Sequence, residues 1–134
     1  MEYHFGRLID HVHLVVADLE ASKRFYRAVL ASLGREFSGE SERFFYADEL
    51  FVSEGEPGSR VHLALQTDGP EAVKSFYQAG LDAGGTDNGA PGERHYHPGY
   101  YSAYILDPDG NNIEAVFHGP AQRSTASVVV TPVL

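Results

Sequence analysis

The sequence predicts an α+β fold built from two βαβββ modules, and three observations carry that prediction. Displaced by 51 residues, the chain matches itself: Glu20, Ala21, Lys23, Phe25, Tyr26, Ala28, Leu30 and Gly34 fall on Glu71, Ala72, Lys74, Phe76, Tyr77, Ala79, Leu81 and Gly85. Extended upstream without a gap, the same displacement carries Leu14 onto Leu65 and His11 onto His62. Each copy opens on a short apolar run and continues into a helical pattern. Glycine- and proline-bearing turns then separate several short strand-like runs.

In the first copy, Ile9 to Val16 is β-branched and apolar, as a half- or fully buried strand requires. Asp18 can cap a helix from about Leu19 to Leu33, whose Ala21, Phe25, Ala28 and Val29 recur at helical spacing and should face a sheet. Gly34 is placed to end it. Arg35 to Ser38, Arg43 to Ala47 and Leu50 to Ser53 read as three short strands, and Glu54-Gly55-Glu56-Pro57-Gly58-Ser59 as the linker between modules.

The second copy repeats that order. Val61 to Gln66 is a strand, and Gly69-Pro70 opens a helix with proline at its favoured first position. The helix should run to about Ala83, where Gly84-Gly85 stops it. Thr86 begins a short strand, followed by a long loop through Pro98-Gly99. Tyr100 to Leu106 and Asn112 to His118 are the last strands, joined by the tight turn Asp107-Pro108-Asp109-Gly110. The modules therefore span 8–56 and 60–118, and neither could bury its sheet alone; together they make one domain over 1–134. The tail, 119–134, has no repeat partner, and Ser124 to Val130 reads as an extra strand.

Composition narrows the function classes. The formal charge of -9 and the lack of a basic stripe argue against nucleic acid. Cysteine is absent, which excludes disulfides, thiolate ligands and a cysteine nucleophile. No signal peptide is visible and no apolar run approaches the roughly 20 residues of a membrane span, so a soluble cytoplasmic protein is the expectation.

Side chains alternate across a strand, so His11 and His13 share one face of the first strand, and His62 takes the matching position in the second module. Glu114 stands in the middle of the last strand, between Ile113 and Ala115. If these strands line one concave surface, His11, His62 and Glu114 form a two-histidine, one-carboxylate set for a divalent metal with positions left open for water and substrate. By spacing alone the signal is weak, because a strand histidine is usually a hydrogen-bonded structural residue. The shared offset gives the two histidines a geometric reason to meet.

Three stretches resemble the vicinal oxygen chelate superfamily: Ile9-Asp10-His11-Val12-His13-Leu14-Val15-Val16-Ala17-Asp18-Leu19 followed by Phe25-Tyr26, then Val61-His62-Leu63-Ala64-Leu65, then Asp107-Pro108-Asp109-Gly110-Asn111-Asn112-Ile113-Glu114. This superfamily includes glyoxalase I, bleomycin-resistance proteins, fosfomycin-resistance transferases and ring-cleaving extradiol dioxygenases. The resemblance implies paired βαβββ modules curling into a half-barrel, a homodimer, and a small-molecule substrate. It implies His11, His62 and Glu114 as ligands of a divalent metal (Fe, Ni, Co, Zn or Mn), with Tyr104 lining the substrate cleft.

The resemblance is incomplete. Glyoxalase I places a fourth ligand, a glutamate, in the strand corresponding to Leu50-Phe51-Val52-Ser53, where no acid stands here. The fosfomycin enzymes carry a threonine at the position of His13. His13 can act as a general base or simply pack beside the site. His95, His97, Tyr100 and Tyr101 form a chemically dense loop that either binds substrate or packs on the barrel rim. A metal-dependent glyoxalase-like isomerase or lyase is the leading expectation. A thiol transferase, a ring-cleaving dioxygenase or a metal-free drug- or metabolite-binding protein are the alternatives.

Overall fold

The computed structural model describes residues 2–7, 9–58 and 60–134. The start of the first module at Leu8, the linker end at Ser59 and the initial Met1 lie outside the described residues. The element order is β1 (Val12–Val16), α1 (Leu19–Ser32), β2 (Gly39–Glu40), β3 (Phe44–Ala47), β4 (Leu50–Glu54), β5 (His62–Gln66), α2 (Pro70–Asp82), β6 (Thr86–Glu93), β7 (Tyr101–Leu106) and β8 (Asn112–Phe117). Each βαβββ module forms one open, curved four-stranded sheet: β1-β4-β3-β2, here sheet A, and β5-β8-β7-β6, here sheet B. In each, the first strand pairs in parallel with the last and the others pair antiparallel.

The helices begin and end for local reasons. The Asp18 carboxylate accepts the Ala21 amide at 3.0 Å, satisfying a donor that has no partner inside the helix. Gly34, at φ 74, turns the chain out of α1 in the left-handed region that glycine adopts without strain.

Both sheets turn one face onto the helices, and the two modules share a single apolar core. Leu14, Val16, Phe45 and Val52 come from sheet A, and Ala103, Ile105, Ile113 and Ala115 from sheet B. Phe25, Tyr26, Val29 and Leu30 of α1 and Val73 and Phe76 of α2 fill the space between. The paired aromatics Phe25-Tyr26 and Phe76-Tyr77 are thus mainly core: Phe25, Tyr26 and Phe76 are fully buried.

Polar contacts lock the modules together at the Asp107 turn. Tyr26 donates to Asp107 Oδ2 at 2.5 Å, and the same carboxylate accepts Asn111 Nδ2 and the Asp109 and Asn111 amides. Burial first, then the Asp107 charge, hold the Tyr26 phenol well above its ordinary pKa, so it remains a donor. Asp109 accepts the Ala17 amide at the end of β1, and Asn111 accepts the Val61 amide just before β5. The turn therefore anchors the ends of both modules' first strands, and sets where β8 and Glu114 begin.

Three elements differ from the sequence reading. Arg35 to Ser38 is not a strand: the Arg35 amide still bonds the Leu30 carbonyl at 2.8 Å at the helix end, the chain reaches β3 only at Ser38, whose amide bonds the Tyr46 carbonyl at 2.8 Å, and the short strand comes at Gly39–Glu40. Strand β6 runs for 8 residues, past Gly89, Pro91 and Gly92. It is an edge strand with register irregularities at Gly89 and Gly92, so a proline costs it little. Residues 124–130 form no strand; the tail is exposed, and Arg123 hydrogen-bonds the Gln66 side chain.

Candidate functional site

Alternation leaves one face of each sheet uncovered by helices. In sheet B that face carries His62, Ala64 and Gln66 of β5, with Glu114 and Tyr104 beside Ala64 in a single row. His62 Nε2 lies 2.7 Å from Glu114 Oε1. The other carboxylate oxygen, Oε2, accepts the Tyr100 hydroxyl at 2.5 Å. Glu114 is only 2 % exposed, whereas the His62 side chain is 54 % exposed and open to a ligand. Burial, followed by the hydrogen bond to Glu114, pushes the Tyr100 phenol far above its usual pKa and keeps it protonated. Tyr104 flanks the pair, its ring 6.0 Å from that of His62, with the Arg94 guanidinium over the ring at 5.3 Å.

His11 stands apart, just before β1 of sheet A. Its Nδ1 bonds Asp10 Oδ1 at 2.7 Å, and both side chains remain exposed. With Nδ1 donating to the carboxylate, Nε2 is left as the free lone pair, which is how a histidine is commonly held for metal binding. His13 is exposed on the same open face, with Nε2 2.7 Å from Ser53 Oγ. Among the described residues, no group of three His, Cys, Asp or Glu side chains gathers as a metal site. One chain thus brings His62 and Glu114 together and leaves His11 elsewhere.

The donors nevertheless suit a divalent ion. Adjacent ligands of such an ion lie about 3 Å apart, given metal–nitrogen and metal–oxygen bonds of about 2.1 Å. The His62–Glu114 separation is close to that, and an ion there would replace the contact between the two side chains. The pair supplies two donors, and the free Nε2 of a histidine held like His11 would suit as a third.

The loop candidates divide. His97 Nδ1 lies 2.9 Å from the Pro98 carbonyl and Nε2 3.0 Å from His118 Nδ1, so His97 ties the β6–β7 loop to the end of β8. His95 is exposed, its ring 5.3 Å from that of Tyr96. Tyr101 alternates to the helix-covered face with Ala103 and Ile105 and packs on the core, away from the open face. His118 was missed, although its spacing of four from Glu114 on a strand puts both on one face. Asp10, beside a candidate ligand, carried a similar signal.

The register also explains the lack of a second acid. In sheet A, the open-face row runs His13, Phe51, Tyr46, Gly39. In sheet B, the equivalent row runs Ala64, Glu114, Tyr104, Gly89. Both rows end in a tyrosine over a glycine: a Cβ on Gly39 would lie 2.6 Å from the Tyr46 ring, and one on Gly89 2.7 Å from that of Tyr104. Where sheet B has a carboxylate, sheet A has Phe51.

Comparison with known proteins agrees with this architecture. A family model described as the Glyoxalase/Bleomycin resistance protein/Dioxygenase superfamily matches residues 8–115. A glyoxalase/bleomycin resistance protein from Albidiferax ferrireducens is 32% identical, the alignment covering 81% of this chain and 97% of that one, with a TM-score of 0.66. A glyoxalase/bleomycin resistance protein/dioxygenase family enzyme from Burkholderia phytofirmans is 25% identical over 80% of this chain and 95% of its own, with a TM-score of 0.63. A lactoylglutathione lyase from Agrobacterium tumefaciens shares the fold at 20% identity, covering 83% of this chain and 93% of that one, with a TM-score of 0.61. No curated protein matches the chain.

Proposed function

Because the chain belongs to the glyoxalase/bleomycin resistance protein/dioxygenase superfamily, we propose that it is a divalent-metal-dependent enzyme acting on a small substrate with adjacent oxygens, most closely a glyoxalase-like isomerase or lyase. The observation that carries this reading is the 2.7 Å approach of His62 to the buried Glu114 carboxylate. His62 and Glu114 would hold the ion together with His11 from a second copy of the chain. Both sheets direct their covered faces at one shared core, so within one chain their open faces are turned apart. Strands β1 and β5 each end a sheet with one ladder edge unpaired, and such edges pair readily with another chain. Joining β1 of one copy to β5 of the other makes a continuous half-barrel and sets His11 beside His62 and Glu114.

When bound, a divalent ion supplies Lewis-acid polarisation of two adjacent substrate oxygens. The chain's own residues do the rest. Tyr100 fixes the Glu114 carboxylate from behind, and Asp10 orients the His11 ring. His13, steadied by Ser53, is placed to accept a proton from a substrate lying on the open face. Tyr104 offers its ring and hydroxyl beside His62. With Phe51 in place of an acid, the protein ligands number three, and a two-histidine, one-carboxylate set also suits Fe(II) and oxygen chemistry.

A second reading rests on the same contact. His62 and Glu114 satisfy each other without an ion, which is compatible with a metal-free binding protein of the bleomycin-resistance kind. Metal analysis of protein purified without added metal separates the two. About one divalent ion per chain, lost in His62→Ala, supports the enzyme. No binding at any metal concentration contradicts it. Iron in the site favours an oxygenase, and zinc, nickel or cobalt an isomerase or lyase.

A further inference from the structure

Tyr100 is the last residue before β7, so the hydroxyl that reaches Glu114 is delivered from the β6–β7 loop. A phenol oxygen lies on the axis of its ring, and whatever holds the ring therefore holds the oxygen. Three rings surround it, each nearly perpendicular: Tyr96 at 4.9 Å, His118 at 5.1 Å and His97 at 5.3 Å. Tyr96 and His97 belong to the same loop. His118 instead follows directly on β8, the strand that carries Glu114.

His97 and His118 are joined to each other. Their nitrogens, Nε2 and Nδ1, lie 3.0 Å apart, and the ring planes differ by 19°. The ring centres are 5.3 Å apart, longer than the nitrogen contact by about one ring's width. The rings thus lie end to end, and the hydrogen bond points along a lone pair. Its direction follows from the next link. A carbonyl can only accept, so His97 Nδ1 donates to the Pro98 oxygen at 2.9 Å. In the neutral pair, His97 Nε2 then accepts and His118 Nδ1 donates. The backbones meet at the same place: a Cβ on Gly99 would lie 3.3 Å from Gly119 Cα and 3.4 Å from the His118 carbonyl oxygen.

We propose that His97 and His118 are positioning residues for the Glu114 carboxylate, acting through Tyr100. Their hydrogen bond closes the β6–β7 loop on the end of β8. That closure stops the Tyr100 ring from swinging, keeps its hydroxyl on Oε2, and leaves Oε1 turned to His62. Both ring nitrogens of His97 are engaged within the chain, so this residue has no free group to offer a substrate. The inference rests on His62 and Glu114 as metal ligands, because a carboxylate held in one orientation binds an ion more tightly than one free to turn.

Zinc affinity, measured by chelator competition on the full-length protein beside denaturant midpoints, tests it. His97→Ala, His118→Ala and Tyr100→Phe should each weaken zinc binding about tenfold. In a Tyr100→Phe background, either histidine change should add less than about twofold, because the hydroxyl they act through is already gone. His118→Asn keeps a donor where Nδ1 stood, and should return the affinity to within about twofold of the parent. Losses that add in full in the Tyr100→Phe background overturn this inference and leave the metal site standing. So does a fall in stability with zinc affinity unchanged. A parent that binds no zinc at any concentration overturns it together with the metal site.

Discussion

Phe51 occupies in sheet A the register position that Glu114 occupies in sheet B: His13 pairs with Phe51 and Tyr46 follows, where Ala64 pairs with Glu114 and Tyr104 follows. The two modules are thus alike in backbone and in their outer tyrosine–glycine steps, and unlike at the one position that would supply a second carboxylate. Phe51→Glu should therefore add a ligand. In a chelator competition, the variant should release its ion at least about tenfold more slowly than the parent. Unchanged release would mean that the Phe51 position does not face the ion.

Tyr26 and Asp107 join the two modules inside the core, and the hydroxyl has no water to fall back on. Tyr26→Phe should lower stability by about 1–3 kcal/mol, read from denaturant midpoints, and leave metal content alone. The pH dependence has a definite sign. The folded phenol titrates well above its ordinary value, so its contribution is whole below the unfolded tyrosine pKa of about 10 and is lost as pH rises through the folded value. The parent's stability should fall more steeply above about pH 10 than that of the variant.

Gly85 is fixed by close packing. A Cβ there would lie 2.5 Å from Ile105 Cγ2, 2.6 Å from Phe25 Cε1 and 2.8 Å from the Gly80 carbonyl oxygen. Backbone and two buried side chains cannot all yield, so Gly85→Ala should cost roughly 1–3 kcal/mol or more. Gly34 is the contrast: an added Cβ meets nothing within 4 Å, and only its φ of 74 opposes substitution. Gly34→Ala should cost about 1–2 kcal/mol, the penalty of the left-handed conformation alone, and a urea series on both variants compares the two causes.

Much of this was legible in the residues themselves. The 51-residue displacement placed both modules, because helix and strand periodicities repeat with it. Asp18, Gly34 and the Asp107 turn acted through local chemistry that needs no tertiary context. The misses share a cause, since each depends on which neighbour a strand finds. Pro91, Gly89 and Gly92 read as a loop, yet β6 tolerates them at a sheet edge where register is already broken. Val128, Val129 and Val130 have the composition of a strand but no ladder to join. Tyr101 and Tyr104 lie three apart on one strand, so alternation puts them on opposite faces, but only the neighbouring strands and helices decide which of the two faces is open. The motif placed His62 beside Glu114, while the separation of His11 follows from how two complete sheets share a core.

That separation makes the second copy of the chain the central claim, and mixed dimers test it most directly. His11→Ala and His62→Ala chains, each unable to hold an ion alone, are co-expressed with different tags, and the heterodimer is isolated for metal analysis. If each site takes His11 from one copy and His62 from the other, one of the two sites is intact, and the heterodimer should bind about half an ion per chain. A heterodimer as empty as either parent variant would mean that both histidines must come from the same chain, and would contradict the shared site.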